Sequence, residues 1–431
     1  LKDVIEKLES GVSVNASDEP ATGNNIGVLK TSCVGKDSFI PDENKSVWPT
    51  ELNRVSTPVR AGRIIVSRMN TPQLVGASAY VPKNYPNIFL PDRLWQTVFF
   101  SSVRLDSKWL SLLIGCKDFR YLLSTVATGT SPSMKNLGQD KFLSISIPFP
   151  SHAEQTAIAT YLDTKTAQID RQIDLLSQKA TQYGKLKQSL INETVTRGLD
   201  KAVPMKDSGV ICIGLIPRHW KKLRLKDLGT IETSSIDKKT IENEKLVKLV
   251  NYSDIYGNLK KEIFNQVGYM IVSANAKQIK DKNLNQGDVL FTPSSETYED
   301  IGVSSVVMEN LIDTLYSYHI LRLRFHKKIE LNFKKYLFNN NYVQTYFSQS
   351  AKGTTRKILG LTQFNNLELV FPPAYKEQKE IAAYLDHKTT QIDRIINVIG
   401  SQIDKLKDLR KALINDVVTG KIKVVSEGGE A

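Results

Sequence analysis

The feature that most constrains this chain is a segment that occurs twice. Glu154 to Thr196 and Glu377 to Thr419 align without a gap at an offset of 223 positions, and 20 of the 43 aligned residues are identical. Tyr161-Leu162-Asp163 matches Tyr384-Leu385-Asp386, and Gln168-Ile169-Asp170-Arg171 matches Gln391-Ile392-Asp393-Arg394. Both copies close on Leu-Ile-Asn, at Leu190 to Asn192 and Leu413 to Asn415. Each copy carries the heptad seam of a long helix. In the first, Leu162, Ile169, Leu176, Tyr183 and Leu190 fall seven apart, with Thr166, Ile173, Ala180, Lys187 and Thr194 on the alternate slot. In the second, Leu385, Ile392, Ile399, Leu406 and Leu413 hold the same register, with Thr389, Ile396, Ile403, Arg410 and Val417. Both seams thus keep a basic residue at one slot, Lys187 and Arg410. Two such seams can cover each other, at roughly 1.5–3 kcal/mol for each large side chain buried. The expected fold is α+β: two globular α/β domains joined by two long helices that form an antiparallel coiled coil with pseudo-twofold symmetry.

The flanking residues fit that reading. Pro148-Phe149-Pro150 and Phe371-Pro372-Pro373 break what precedes each helix, Ser151 to Glu154 offers a capping box, and Gly198 supplies a stop. The expected domains are 1–150, a first globular domain; 151–199, the first helix; 200–209, a linker; 210–373, a second globular domain; 374–423, the second helix; and 424–431, a polar tail. In the first globular segment strands are expected at Arg63–Ser67, Ala79–Val81 and Phe142–Ile147, and a helix at Lys108–Thr125. In the second, strands are expected at Leu223–Leu228, Leu246–Val250, Val289–Thr292, Gly302–Met308 and His319–Phe325, and a helix at Phe333–Ser350. The globular segments are distant copies: Leu1-Lys2-Asp3 matches Leu225-Lys226-Asp227, Gly62 matches Gly287, and Gly129-Thr130 matches Gly353-Thr354. The lead-in Ile216-Pro217-Arg218-His219-Trp220 has no counterpart before Leu1, so a short N-terminal piece is expected to be missing or different.

Lys and Arg outnumber Asp and Glu by 58 to 45, a net +13 that attracts polyanions. Cys33, Cys116 and Cys212 are far apart and form no disulfide or zinc pattern, which fits a reducing cytoplasm. The longest apolar run, around Trp109 to Cys116, is too short to span a bilayer, and residues 1 to 20 hold no apolar leader. Enzyme motifs are wanting. Phe371-Pro372-Pro373-Ala374-Tyr375 lacks the Asn or Asp of a methyltransferase tetrapeptide, and Gly27 to Thr31 lacks the Gly-Lys of a phosphate loop. Asp92, Asp106 and Lys108 could be assembled into a nuclease site, but spacing this loose arises easily by chance. Five scattered histidines form no pair or triad.

What remains suited to function is polar side chains on turns after strands. Arg reads guanine, Asn and Gln read adenine, and Lys grips phosphate. The DNA-contact candidates are Arg63, Arg68, Asn70, Gln73, Thr130 and Lys135 in the first domain. In the second they are Ser294, Ser295, Thr297, Tyr298, Lys352, Thr354, Thr355, Arg356 and Lys357. On the helices, Gln155, Lys165, Gln168 and Arg171, with Gln378, Lys388, Gln391 and Arg394, are expected on the face away from the seam. Of these, Gln168, Arg171, Gln391 and Arg394 are candidates for docking a partner. The rival readings are a coiled-coil scaffold without sequence-specific binding and a stand-alone nuclease or methyltransferase.

The doubled set of proline break, Glu-Gln, Ile-Ala, Tyr-Leu-Asp and Gln-Ile-Asp-Arg resembles the specificity (S) subunits of type I restriction-modification systems. Ile216 to Trp220 and Gly353-Thr354-Thr355-Arg356-Lys357 resemble them too. The resemblance covers essentially the whole chain. It implies two target-recognition domains, each reading one half of an interrupted asymmetric site in double-stranded DNA, with the helices as a ruler for the gap. It implies docking of two methyltransferase subunits on the helices, with restriction motor-nuclease subunits added. This chain would be non-catalytic and hold no cofactor; S-adenosylmethionine, ATP and Mg would belong to its partners. The first domain departs from the motif, with Gly129 to Lys135 reading Gly-Thr-Ser-Pro-Ser-Met-Lys.

Overall fold

The computed structural model describes residues 1–35, 38–131, 133–210 and 212–424, so most of the expected tail lies outside the described residues. The first long helix is His152–Arg197 and the second is Tyr375–Val418. The chain divides into two compact units, Leu1–Ser177 with Gly400–Ala431, and Gln178–Ile399. The division cuts both helices, so each unit is one globular head plus the near part of one helix and the far part of the other.

In the first unit a four-stranded antiparallel sheet runs in the order Ile5–Ser10, Leu94–Phe99, Ile64–Ser67, Ser78–Tyr80. A second sheet orders Asn44–Ser46, Gly27–Leu29, Tyr85–Phe89 and Pro58–Val59. The four residues Ile64–Ser67 are all buried because both faces of the strand are covered. Ile64 and Val66 enter the core with Trp95 and Trp109, whereas Ile65 enters the core with Leu29 and Leu90.

The second unit repeats this plan. A five-stranded sheet orders Gly229–Thr233, Leu321–Phe325, Val289–Phe291, Ser304–Val307 and Glu262–Ile263. Its strand Val289–Phe291 again divides its side chains, with Val289 and Phe291 in one core and Leu290 in another. Both copies of this strand follow a glycine in the left-handed region, Gly62 at φ 74° and Gly287 at φ 86°, which is why that residue is retained in both heads.

Several expected elements are broken where a local signal wins over periodicity. Lys108–Thr125 is two helices, Ser107–Gly115 and Lys117–Val126, split at Cys116. Phe333–Ser350 is likewise two, Phe333–Phe338 and Asn341–Ser350, because the Asn340 side chain accepts from Val343 N and starts a new helix. The expected strand Phe142–Ile147 is instead preceded and entered by the helix Gln139–Leu143, which buries Phe142 beside Trp95. Leu223–Leu228 is a strand only to Arg224 and then a tight turn, Leu225–Asp227.

The helices pair antiparallel within each unit. In the first, Asp170 bonds Arg410 at 3.0 Å, while Ile158 and Leu162 share a core with Leu413 and Val417. In the second, Lys187 bonds Asp393 at 2.7 Å, while Ile191 and Val195 share a core with Ile381 and Leu385. Every one of the seam candidates Leu162, Ile169, Ile173, Leu176, Leu190, Leu385, Ile392, Ile396, Ile399, Ile403, Leu406 and Leu413 is buried or half-buried. The two ion pairs are one contact made twice. Asp170 is equivalent to Asp393 and Lys187 to Arg410, so each aspartate meets the basic residue of the other copy, as in an isologous interface. Being partly exposed, each pair is expected to couple by about 0.5–1 kcal/mol. In a double-mutant cycle, Asp393→Lys should destabilise and Lys187→Asp added to it should restore stability; strict additivity would count against the pair.

The repeated residues outside the seam anchor the heads. Gln155 and Gln378 are buried, which corrects their expected place on a solvated face. Gln155 accepts from Asp106 N and donates to Pro150 O, both at 2.9 Å. Gln378 accepts from Glu330 N and donates to Pro372 O, both at 2.8 Å. Asp163 pairs with Lys108, and its equivalent Asp386 accepts from Lys335 and from Tyr336 at 2.6 Å. Asn415 caps the helix Lys117–Val126 by accepting from Asp118 N at 3.0 Å, and its equivalent Asn192 caps Asn341–Ser350 by accepting from Asn341 N at 2.8 Å. In the second unit Trp220 donates to Glu377 at 2.9 Å and lies 3.3 Å from where a Cβ on Gly198 would sit, which accounts for the lead-in and the helix stop together.

One buried cation has a measurable consequence. Lys334 is 6% exposed, donates to Gly287 O at 2.8 Å and lies over the Phe325 ring, and burial pushes its ammonium down to about 8. Unfolded chain binds more protons between that value and the ordinary 10.5, so the wild type gains stability as pH rises through this window. Lys334→Met removes the titration. The unfolding free energy of the variant minus that of the wild type should fall by about 2 kcal/mol from pH 7 to 10 in paired denaturant melts.

Candidate nucleic-acid interface

Each head joins its two sets of candidate residues, distant in sequence, through a small ribbon of strands. In the first head Met69–Asn70 pairs antiparallel with Met134–Asn136, which pairs in turn with Thr128–Ser131. Lys135 lies opposite Asn70. In the second, Ser294–Ser295 pairs with Lys357–Ile358, and Lys357 lies opposite Ser295. The same position of the ribbon therefore carries a lysine in both heads. The departure from Gly-Thr-Thr-Arg-Lys in the first is two extra residues between a retained glycine and a retained lysine. The glycines are retained for space: a Cβ at Gly129 would lie 2.5 Å from Met134 O, and one at Gly353 2.1 Å from Arg356 O.

In the first head Arg68 packs its guanidinium over Trp95, and both Arg68 Nε and Asn136 Oδ1 are buried without a hydrogen-bond partner. Asn70 donates to Ser67 Oγ and accepts from Thr71 N, so its amide is partly spent on its own turn. Gln73 is exposed. Arg63 is not brought to this group; it precedes the strand Ile64–Ser67 and the others follow it, about 15 Å away at strand rise. The Thr130 backbone lies in the strand Thr128–Ser131, and its side chain is outside the described residues.

In the second head Lys352, Thr354, Thr355 and Arg356 are exposed on the hairpin, and Arg356 Nε donates to Ser294 Oγ at 3.2 Å. Lys357 turns inward. It donates to Gly353 O and Thr354 O and lies 4.5 Å from the Tyr298 ring centre, so it shapes the loop. The structure adds residues that sequence spacing did not single out. Tyr252 and Tyr256 stack at 5.3 Å, and Tyr256, Ser295 and Thr297 all donate to Asp300. His319 is held below its ordinary value by burial, then by the charges of Arg356 and Lys238. Only the i,i+4 spacing of Tyr252 and Tyr256 was visible beforehand; Asp300 lies 44 positions from Tyr256.

Two of the three loosely assembled nuclease residues are otherwise engaged: Asp106 caps the helix Ser107–Gly115 and Lys108 pairs with Asp163. Among the described residues, no group of three or more His, Cys, Asp and Glu could hold a metal ion, and no helix is long and apolar enough to cross a membrane. On the helices Gln168, Arg171, Gln391 and Arg394 are all exposed. One turn beyond Arg171 is Leu175, 50% exposed, and one turn beyond Arg394 is its equivalent Val398, 58% exposed.

Comparison with known proteins places this architecture. Residues 217–405 match the family described as type I restriction modification DNA specificity domain. The MjaVIII specificity subunit of Methanocaldococcus jannaschii is 25% identical over 328 residues, 74% of this chain and 71% of that protein. The EcoEI specificity subunit of Escherichia coli is 26% identical over 164 residues, 38% of this chain but only 27% of that protein. Among solved structures, a chain from work on complex assembly and conformational transition of the type I R-M system superposes with TM-score 0.67. It is 16% identical, with 96% of each chain covered. The HsdS subunit from Thermoanaerobacter tengcongensis gives 0.53 at 16% identity, over 98% of this chain and 96% of that one. Residues 217–405 are thus similar to the type I restriction modification DNA specificity domain, and the chain resembles type I specificity subunits along most of its length.

Proposed function

We propose that this chain is the non-catalytic sequence-reading subunit of a type I restriction-modification complex, each head reading one half of a bipartite asymmetric duplex site and the paired helices setting the gap. One observation carries this: the same hairpin-on-turn surface is built twice on repeated anchors, with different side chains displayed on it. Repeated anchors keep two readers in equivalent settings, and unlike side chains let them read unlike sequences. The Gln168-Arg171-Leu175 and Gln391-Arg394-Val398 faces support docking of two modification subunits, and those partners, with the motor-nuclease subunits, would bring S-adenosylmethionine, ATP and Mg. The setting is the cytoplasm.

Mapping modified bases in host DNA with and without this gene tests the reading. A gapped, asymmetric sequence should lose its modification when the gene is removed; an unchanged pattern would refute it. For docking, Arg171→Glu with Arg394→Glu should abolish copurification of the modification subunit at a two-to-one ratio, and an unchanged ratio would exclude this face.

A further inference from the structure

The loop that follows Ser294–Ser295 in the second head is unusual for a surface meant to approach DNA. It runs Ser294-Ser295-Glu296-Thr297-Tyr298-Glu299-Asp300 and carries three acidic side chains and no cation. Phosphates would be repelled by it. The cations lie beside it, Lys352 and Arg356 on the exposed hairpin that pairs with Ser294–Ser295. Gripping and reading are thus divided between neighbouring segments.

The hydrogen bonds fix the polarity of the loop. Asp300 is a hub: Ser295 Oγ and Thr297 Oγ1 donate to its Oδ1, the latter at 2.6 Å, and Tyr256 OH donates to its Oδ2. Burial works against the Asp300 charge, but hydrogen bonds from Ser295, Thr297 and Tyr256 outweigh it and hold the carboxyl below its ordinary value. An ionised carboxylate only accepts, so all three hydroxyl protons must point at it. Tyr256 is correspondingly pushed up by its bond to Asp300 and keeps its proton. Ser295 is buried and also accepts from Thr297 N. Thr297 and Tyr256 are exposed. With their protons committed, these two hydroxyls present lone pairs outward, as do the exposed carboxylates of Glu296 and Glu299. The loop is a surface of acceptors.

In the major groove the acceptor's partner is an exocyclic amino group, N6 of adenine or N4 of cytosine, whereas guanine and thymine show only acceptors on that edge. We infer that the Ser294–Asp300 loop reads adenine or cytosine on the strand it faces, through acceptor oxygens of Thr297 and Tyr256 that Asp300 orients. The inference rests on the proposed DNA-reading role and adds the base class. Asp300 is a positioning residue, and Thr297 and Tyr256 make the contact.

The test is selection from a duplex library with randomised positions by the full chain copurified with its modification subunits. Wild type, Thr297→Val, Tyr256→Phe and Asp300→Asn are compared. Tyr256→Phe removes one exposed oxygen and leaves the ring stacked, so a folding defect is not expected to obscure its result. At one or two adjacent positions of one half-site the wild type should select A or C, and Thr297→Val and Tyr256→Phe should weaken that preference on the order of tenfold, leaving the other half unchanged. Asp300→Asn places a donor in the hub and frees a hydroxyl proton, so it should shift the same position toward G or T. Purine in place of adenine there, which deletes only the amino group, should cost the wild type the same tenfold and the Thr297 variant nothing more. A responding position that selects G or T, or a selected site with no responding position, overturns the inference and leaves the proposed function standing. Failure of the wild type to select any gapped sequence overturns both.

Discussion

Leu385→Ala is expected to destabilise the protein by about 2–5 kcal/mol, and Leu162→Ala by a similar amount. Both leucines are fully buried, at equivalent positions of the repeat. Each sits where a helix seam meets the core of a head: Leu162 with Trp109, Phe142 and Val417, and Leu385 with Trp220, Phe333 and Ile191. Truncation leaves a cavity bounded by elements from two helices and a sheet, which cannot close it without shifting all three. Hydrogen exchange under native conditions distinguishes the two variants. Leu162→Ala should expose amides of Ser107–Gly115, and Leu385→Ala those of Phe333–Phe338, both elements of the respective cores. A loss below about 1 kcal/mol in either would mean that the seam is not filled as described.

Gly353→Ala is expected to lower DNA affinity of the assembled complex at least about tenfold, at a cost in stability of about 1–3 kcal/mol. The residue has φ 116°, and its Cβ would fall 2.1 Å from Arg356 O across the hairpin. No side chain can be accommodated without opening the tip that displays Thr354, Thr355 and Arg356, yet the tip is exposed and little else depends on it. Gly129→Ala should act in the same way in the first head. Gly184→Ala is the control. It lies inside the first long helix with nothing within 4 Å of the added Cβ, and should stabilise by about 0.5–1 kcal/mol without touching binding. Equal effects of Gly353→Ala and Gly184→Ala on binding would remove the hairpin from the interface.

What was legible in the sequence follows from how local each signal is. The long helices and their seam could be read because heptad spacing is a property of the chain itself, and Leu162 to Leu190 and Leu385 to Leu413 carry it unaided. Helix breaks at Cys116 and Asn340 were hidden, since one cap or one kinked residue overrides a stretch of favourable periodicity. The buried amides of Gln155 and Gln378 were misplaced for a related reason. Each faces a backbone N–H far away in sequence, Asp106 and Glu330, and composition alone assigns glutamine to solvent. The ribbon joining Asn70 to Lys135 and Ser295 to Lys357 depends on strand pairing across more than 60 positions, and the hub at Asp300 gathers Tyr256 from a separate helix 44 positions upstream. Identity between the copies was informative about more than docking. It is concentrated at the two ends of the repeat, where Gln155, Asp163 and Asn192 and their equivalents hold the heads, and is sparse in the middle, where only the seam must be kept.

The division of the chain also sets an order of events during synthesis. The second unit is one uninterrupted stretch, Gln178–Ile399, whereas the first needs Gly400–Ala431 in addition to Leu1–Ser177. Asn415 reaches back to cap a helix start 297 positions upstream, and Val417 completes a core begun by Leu1. A ribosome moving along the message therefore finishes the later head first. The earlier one must wait, with an uncapped helix and an unfilled core, until the last part of the chain has emerged. For that interval the first-made domain is the one in need of protection.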